Sequence, residues 1–143
     1  MSRERPPDLV VLDREYDGST GNLRAARNDV VDFLRINSPD DDLQERAELV
    51  VSELATNAIQ ASPGVAFCLR VEVTDDGSVV LAVTSSTKQG APPPREDWGP
   101  VHPRAPRGRG LLIVDELTDS VAVERTSDDM VVVTATFRVA PVP

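Results

Sequence analysis

The segment from Leu43 to Ala61 constrains this chain more than any other. Leu43, Ala47, Val50, Leu54, Ala58 and Ala61 form one apolar stripe along about five helical turns. Asp40, Asp41 and Asp42 precede or open it, where acidic groups suit the positive end of a helix, and Ser62-Pro63-Gly64 stops it. A helix with a single apolar stripe must bury it against a second layer. The remaining segments predict what that layer is.

Leu9 to Leu12 is a short apolar patch that suits a first strand. Ser19-Thr20 offers a helix N-cap. Behind it Leu23, Ala26, Val30, Phe33 and Leu34 recur at helical spacing to about Arg35. Beyond the long helix, Phe67, Leu69, Val71 and Val73 alternate with Cys68, Arg70 and Glu72, the period of a strand. Asp75-Asp76-Gly77-Ser78 is hairpin-turn chemistry, and Val79 to Val83 reads as the returning strand. A polar, proline-rich stretch over 84–107 shows no periodicity and reads as a long loop, a type of segment usually functional or disordered. Gly108-Arg109-Gly110 closes it. A short helix is expected across Leu111, Val114, Asp115 and Leu117-Thr118, then strands over Val121–Glu124 and Met130–Val139. The order is helix, helix, hairpin, loop, helix, hairpin, within one domain spanning 1–143, its first 18 residues an N-terminal segment.

Composition narrows the functions. Fifteen basic residues against twenty-four acidic ones give a net charge of −9, a surface that repels nucleic acid. Arg104, Arg107 and Arg109 form a cluster too small for a duplex but sufficient for one phosphate chain. One tryptophan, one tyrosine and three phenylalanines leave few platforms for stacking bases. Neither nucleic acid nor membrane is expected as a partner, because no apolar run approaches the ~20 residues of a membrane span. The charged start, Met1 to Asp8, does not resemble a targeting segment, and a lone cysteine, Cys68, excludes an internal disulfide. A cytoplasmic protein is expected.

Two features carry chemistry. Glu53 and Asn57 are one turn apart on the long helix, about 100° around from Leu54 and Ala58, hence at the edge of its buried stripe. An amide oxygen there is a hard ligand suited to Mg²⁺, and a carboxylate can take the proton of an attacking hydroxyl. Taken alone, the pair reads more simply as a polar helix flank. Gly108-Arg109-Gly110 ahead of a helix lets backbone amides approach a phosphate, or is an ordinary loop end. His102 and Trp98 read as loop residues, and Cys68 has no basic neighbours to activate its thiol.

Together, Ser-Glu-Leu-Ala-Thr-Asn-Ala over 52–58, a hairpin, a long loop and Gly-Arg-Gly-Leu over 108–111 resemble the GHKL (Bergerat-fold) ATPases. Among them the chain is most similar to the small anti-sigma-factor serine kinases of bacteria. The resemblance implies a histidine-kinase-like ATPase domain, an α+β two-layer sandwich whose mixed sheet is covered on one face by helices. It implies ATP and Mg²⁺ as cofactors, a sigma factor and an anti-anti-sigma-type antagonist as partners, and a homodimer through the N-terminal region. Glu53 matches the catalytic base that activates a partner's serine, and Asn57 the Mg²⁺ ligand. Gly108, Arg109, Gly110 and Leu111 match the phosphate-cradling turn ending the ATP lid. Arg27, with Asn22, Val30 and Phe33 around it, matches a first-helix arginine that grips protein partners.

The sequence departs from that pattern on the adenine side. The family places an aspartate just past the second hairpin strand to accept from the adenine amino group. Here Ser85 stands at that place, while Asp75-Asp76-Gly77 falls at the wrong end of the strand. A threonine near the base is replaced by Val131. The expectation is altered or weakened base recognition beside an intact magnesium–phosphate side. The alternative is a partner-sequestering module of the same fold whose nucleotide binding is impaired.

Overall fold

The structure is a computed structural model, which describes residues 10–19, 21–38, 40–62, 64–86, 106–126 and 129–138, with the side chains of 106–111 outside that description. In chain order the elements are β1 (Val10–Tyr16), α1 (Gly21–Asn37), α2 (Asp41–Ala61), β2 (Phe67–Val73), β3 (Val79–Ser86), α3 (Pro106–Leu117), β4 (Ser120–Arg125) and β5 (Met130–Phe137).

Each helix begins and ends for a local reason. Asp17 Oδ1 accepts from the Ser19 amide at 3.2 Å and from Asn22 Nδ2 at 2.6 Å, fastening the entry to α1. Asp40 caps α2, its carboxylate accepting from the Leu43 amide at 3.1 Å, while Asp41 and Asp42 occupy the first turn. Asn37 Nδ2 donates to the Phe33 carbonyl, and Gln44 Nε2 to that of Ser38, so the turn between the helices satisfies its own backbone. The expected stripe, Leu43 to Ala61, is buried throughout.

The five strands form one sheet in the order β1-β2-β3-β5-β4. The fold class is the expected helix-on-sheet sandwich, but every neighbouring pair is antiparallel rather than mixed. The connections explain this. α1 and α2 cross the helical layer twice, returning the chain to the end of the sheet it left, so β2 runs against β1; a short turn joins β2 to β3, and β4 pairs antiparallel with β5. Phe67, Leu69, Val71, Val79, Leu81, Val133, Ala135 and Phe137 alternate onto the face beneath the helices and meet Val30, Leu34, Val50, Val51 and Leu54 there. At about 25 cal/mol per Å² of apolar surface, this shared core is the main stabilising term.

Geometry calls for glycine at the turns. Gly77 closes the β2–β3 turn at φ 87, and a Cβ on Gly18 would lie 2.5 Å from the Val65 carbonyl oxygen. There the loop before α1 meets the loop after α2, tied by the Gly64 amide donating to the Gly18 carbonyl at 3.1 Å.

Three boundaries differ clearly from the sequence expectation. β1 continues past Leu12 to Tyr16, paired along its whole length with β2. β3 runs on through Thr84, Ser85 and Ser86, because β5 continues to offer ladder partners as far as Met130. α3 starts at Pro106, so Gly108, Arg109 and Gly110 lie within its first turns, not in a turn before it. Proline suits a first helical position, since its missing N–H would be unpaired there anyway, and a helical glycine costs only about 1 kcal/mol. Of the expected 84–107 loop, residues 87–105 lie outside the described residues, and with them Trp98, His102 and Arg104. No helix among the described residues is long and apolar enough to cross a membrane.

Candidate functional site

Glu53 and Asn57 are half-buried on α2, flanking the fully packed Leu54 and Ala58. The Asn57 carboxamide nitrogen is buried and, among the described residues, has no hydrogen-bond partner. Leaving a buried donor unpaired costs about 1–3 kcal/mol, so such a group calls for an explanation, and an acceptor oxygen brought by a bound ligand is one; a metal would take the carboxamide oxygen instead.

β3 and β5 build the floor at the same end of the molecule. The Ser62 hydroxyl, just past the end of α2, donates to the Ser86 carbonyl at 3.3 Å, closing α2 onto the end of β3. Ser85 and Ser86 are both buried, at 8% and 4% exposure, unusual for serines at the end of a strand. Ser85 shares its face with Leu81 and Val83, the face beneath the helices, and stands directly opposite Val131 on β5. The two positions where the sequence departs from the adenine pattern are thus cross-strand partners, a juxtaposition that no sequence spacing reveals.

α3 closes the arrangement. Arg46, one turn into α2, donates from Nη1 to the Leu117 carbonyl at 3.1 Å and from Nε to Asp42 at 3.0 Å, and its guanidinium lies 5.8 Å from the centre of the Phe137 ring. Here a cation meets the carbonyl end of a helix, the favourable pole for it. With its last turn held at the start of α2, α3 packs against α2. Twelve residues of helix extend about 18 Å. In the first turn of α3 the leading backbone amides have no intrahelical acceptor.

Other expected residues stand elsewhere. Arg27 lies on the outer α1–α2 surface, its Nε 3.9 Å from Glu48 Oε2, both side chains substantially exposed. Cys68 lies on the sheet face away from the helices, and its thiol is pushed above the usual range by burial and by Glu15 and Asp13. The Tyr16 hydroxyl donates to Asp29 Oδ2 at 2.6 Å beneath α1, and burial followed by that bond raises its pKa. Among the described residues no group of three or more His, Cys, Asp or Glu is gathered to hold a metal. An ion on Asn57 would therefore draw its remaining ligands from phosphate and water, the habit of Mg²⁺. The carboxamide of Asn57 fits such a group, its oxygen suited to Mg²⁺ and its orphaned nitrogen to a phosphate oxygen, and a helix start such as that of α3 suits phosphate.

A family model described as a histidine kinase-like ATPase domain matches residues 18–137. Among solved structures, the RsbU and RsbW domains of Rv1364c from Mycobacterium tuberculosis share the fold at a TM-score of 0.68 and 16% identity, covering 90% of this chain and 32% of that one. This chain thus spans about a third of that protein's length. The SiaB–SiaC complex from Pseudomonas aeruginosa gives a TM-score of 0.65 at 13% identity, covering 89% of each chain. No curated protein matches the sequence.

Proposed function

Because the chain belongs to the histidine kinase-like ATPase domain family, we propose that it is a regulatory protein serine kinase that uses Mg²⁺–ATP and acts by partner switching. It would sequester a sigma factor in the bacterial cytoplasm and phosphorylate a serine on an antagonist protein, working as a homodimer through its N-terminal region. The observation carrying this reading is the unpartnered, buried carboxamide nitrogen of Asn57, one turn from Glu53 on α2, a donor left for a ligand's phosphate oxygen. The likeness to structures containing RsbW and SiaB supports the fold on which the reading rests.

The chain's own residues have separable tasks. Asn57 would hold the metal, whose charge would offset that developing on the transferred phosphoryl group. The backbone amides at the start of α3 would orient the phosphates, since a helix N-terminus favours anions. Glu53 would accept the proton of the attacking serine hydroxyl and return it to solvent. Arg27, exposed beside Glu48, would meet a protein partner, because its single long ion pair leaves donors uncommitted on an accessible surface.

Purified antagonist protein incubated with the chain and Mg²⁺–ATP gains phosphate on serine under this reading, and Glu53→Ala abolishes the transfer. Equal phosphorylation by the Glu53→Ala variant would remove the proposed base. The second reading, sequestration without nucleotide, is favoured by the Ser85–Val131 pair. It predicts that partner binding is insensitive to Mg²⁺–ATP.

A further inference from the structure

We infer that Ser85 makes the nucleotide site indifferent to the purine base, so that the chain binds GTP about as well as ATP. The inference rests on the nucleotide-binding reading above and concerns which base that site accepts. Ser85 lies on the helix-covered face of β3, at the strand end that Ser62 closes against α2. It is 8% exposed, and its one polar side-chain group is a hydroxyl. Its cross-strand neighbour, Val131, is 2% exposed and contributes no polar side-chain atom. At this register pair one hydroxyl is therefore the sole side-chain group able to question a base edge.

A hydroxyl asks a different question from a carboxylate. An ionised carboxylate only accepts, whereas a serine hydroxyl both donates and accepts, rotating to suit. Adenine presents an amino donor where guanine presents a carbonyl acceptor. A carboxylate at position 85 would pair with the first and confront the second with two facing acceptors. Ser85 can accept from the amino group or donate to the carbonyl, so neither purine leaves it unpaired. What is lost is charge assistance for adenine, and with it the penalty that excludes guanine.

The test is equilibrium binding of ATP and of GTP, each with Mg²⁺, to the full chain, read by calorimetry rather than turnover. Wild-type dissociation constants within about threefold of each other are expected, as is a shift of at least about tenfold toward ATP in Ser85→Asp. Ser85→Ala, which introduces no buried charge, is expected to weaken both nucleotides while keeping their ratio near unity. A wild-type preference for ATP beyond about tenfold overturns the inference while leaving the kinase reading intact. Failure of both nucleotides to bind the wild type overturns the two together. An unchanged ratio in a Ser85→Asp protein that melts cooperatively overturns the role of Ser85 alone.

Discussion

Asn57 carries opposite obligations in stability and in function. Its buried, unpaired nitrogen penalises the free protein by about 1–3 kcal/mol, and asparagine is a poorer helix former than alanine. Asn57→Ala is therefore expected to raise the melting temperature of the nucleotide-free protein while abolishing the Mg²⁺-dependent part of ATP binding. Thermal melts and paired titrations with and without Mg²⁺ check both; a lowered melting temperature would show that the carboxamide is satisfied in solution. At this scale the sequence was informative about α2 and silent about the floor. Glu53 and Asn57 follow from helical spacing alone. That Ser85 faces Val131 depends on the register of β3 with β5, set by strands more than forty residues apart. No local pattern encodes that pairing.

Among the elements, α2 owes its start to one side chain. Asp40→Ala removes the acceptor for the Leu43 amide and is expected to cost about 1 kcal/mol, read as a lower denaturation midpoint with an unchanged m-value. The β2–β3 turn has a comparable local lock. Asp76 accepts from the Thr74 hydroxyl and from the Ser78 amide, and these bonds hold its carboxyl below the usual range. A depressed folded pKa stabilises the protein when the group is ionised. That contribution is complete above the ordinary carboxyl value near 4 and is lost as pH falls through the lower folded value. Asp76→Asn is expected to flatten the decline in denaturation midpoint below about pH 4, measured by denaturant titration at successive pH values. The period of 3.6 in α2 and of two in β2 made those elements legible. The start of α3 was not, because Pro106, Gly108 and Gly110 are turn-formers by type and helical here by position. The last residues of β3 were illegible for a related reason. Serine has no preference for strand, and only pairing with β5 keeps Ser85 and Ser86 extended.

For the molecule as a whole, the proposed site draws on three parts of the chain: the second half of α2, the end of β3, and the start of α3. A ligand touching all three stabilises the folded state by mass action. Mg²⁺–ATP at about one hundred times its dissociation constant is expected to add about 2.7 kcal/mol, seen as a higher melting temperature. With Ser85 in place of a charged acceptor, that dissociation constant is expected to exceed about 1 µM; tighter binding by calorimetry would contradict the account of the base side. Arg46 then has a mechanical consequence. It rivets the last carbonyl of α3 to both α2 and the Phe137 ring. A rod pinned at its tail cannot slide lengthwise when an anion pulls on its head; it can only swing. If phosphate binds at the start of α3, the response of the helix would be an arc that pivots at Arg46 and is widest at the far end.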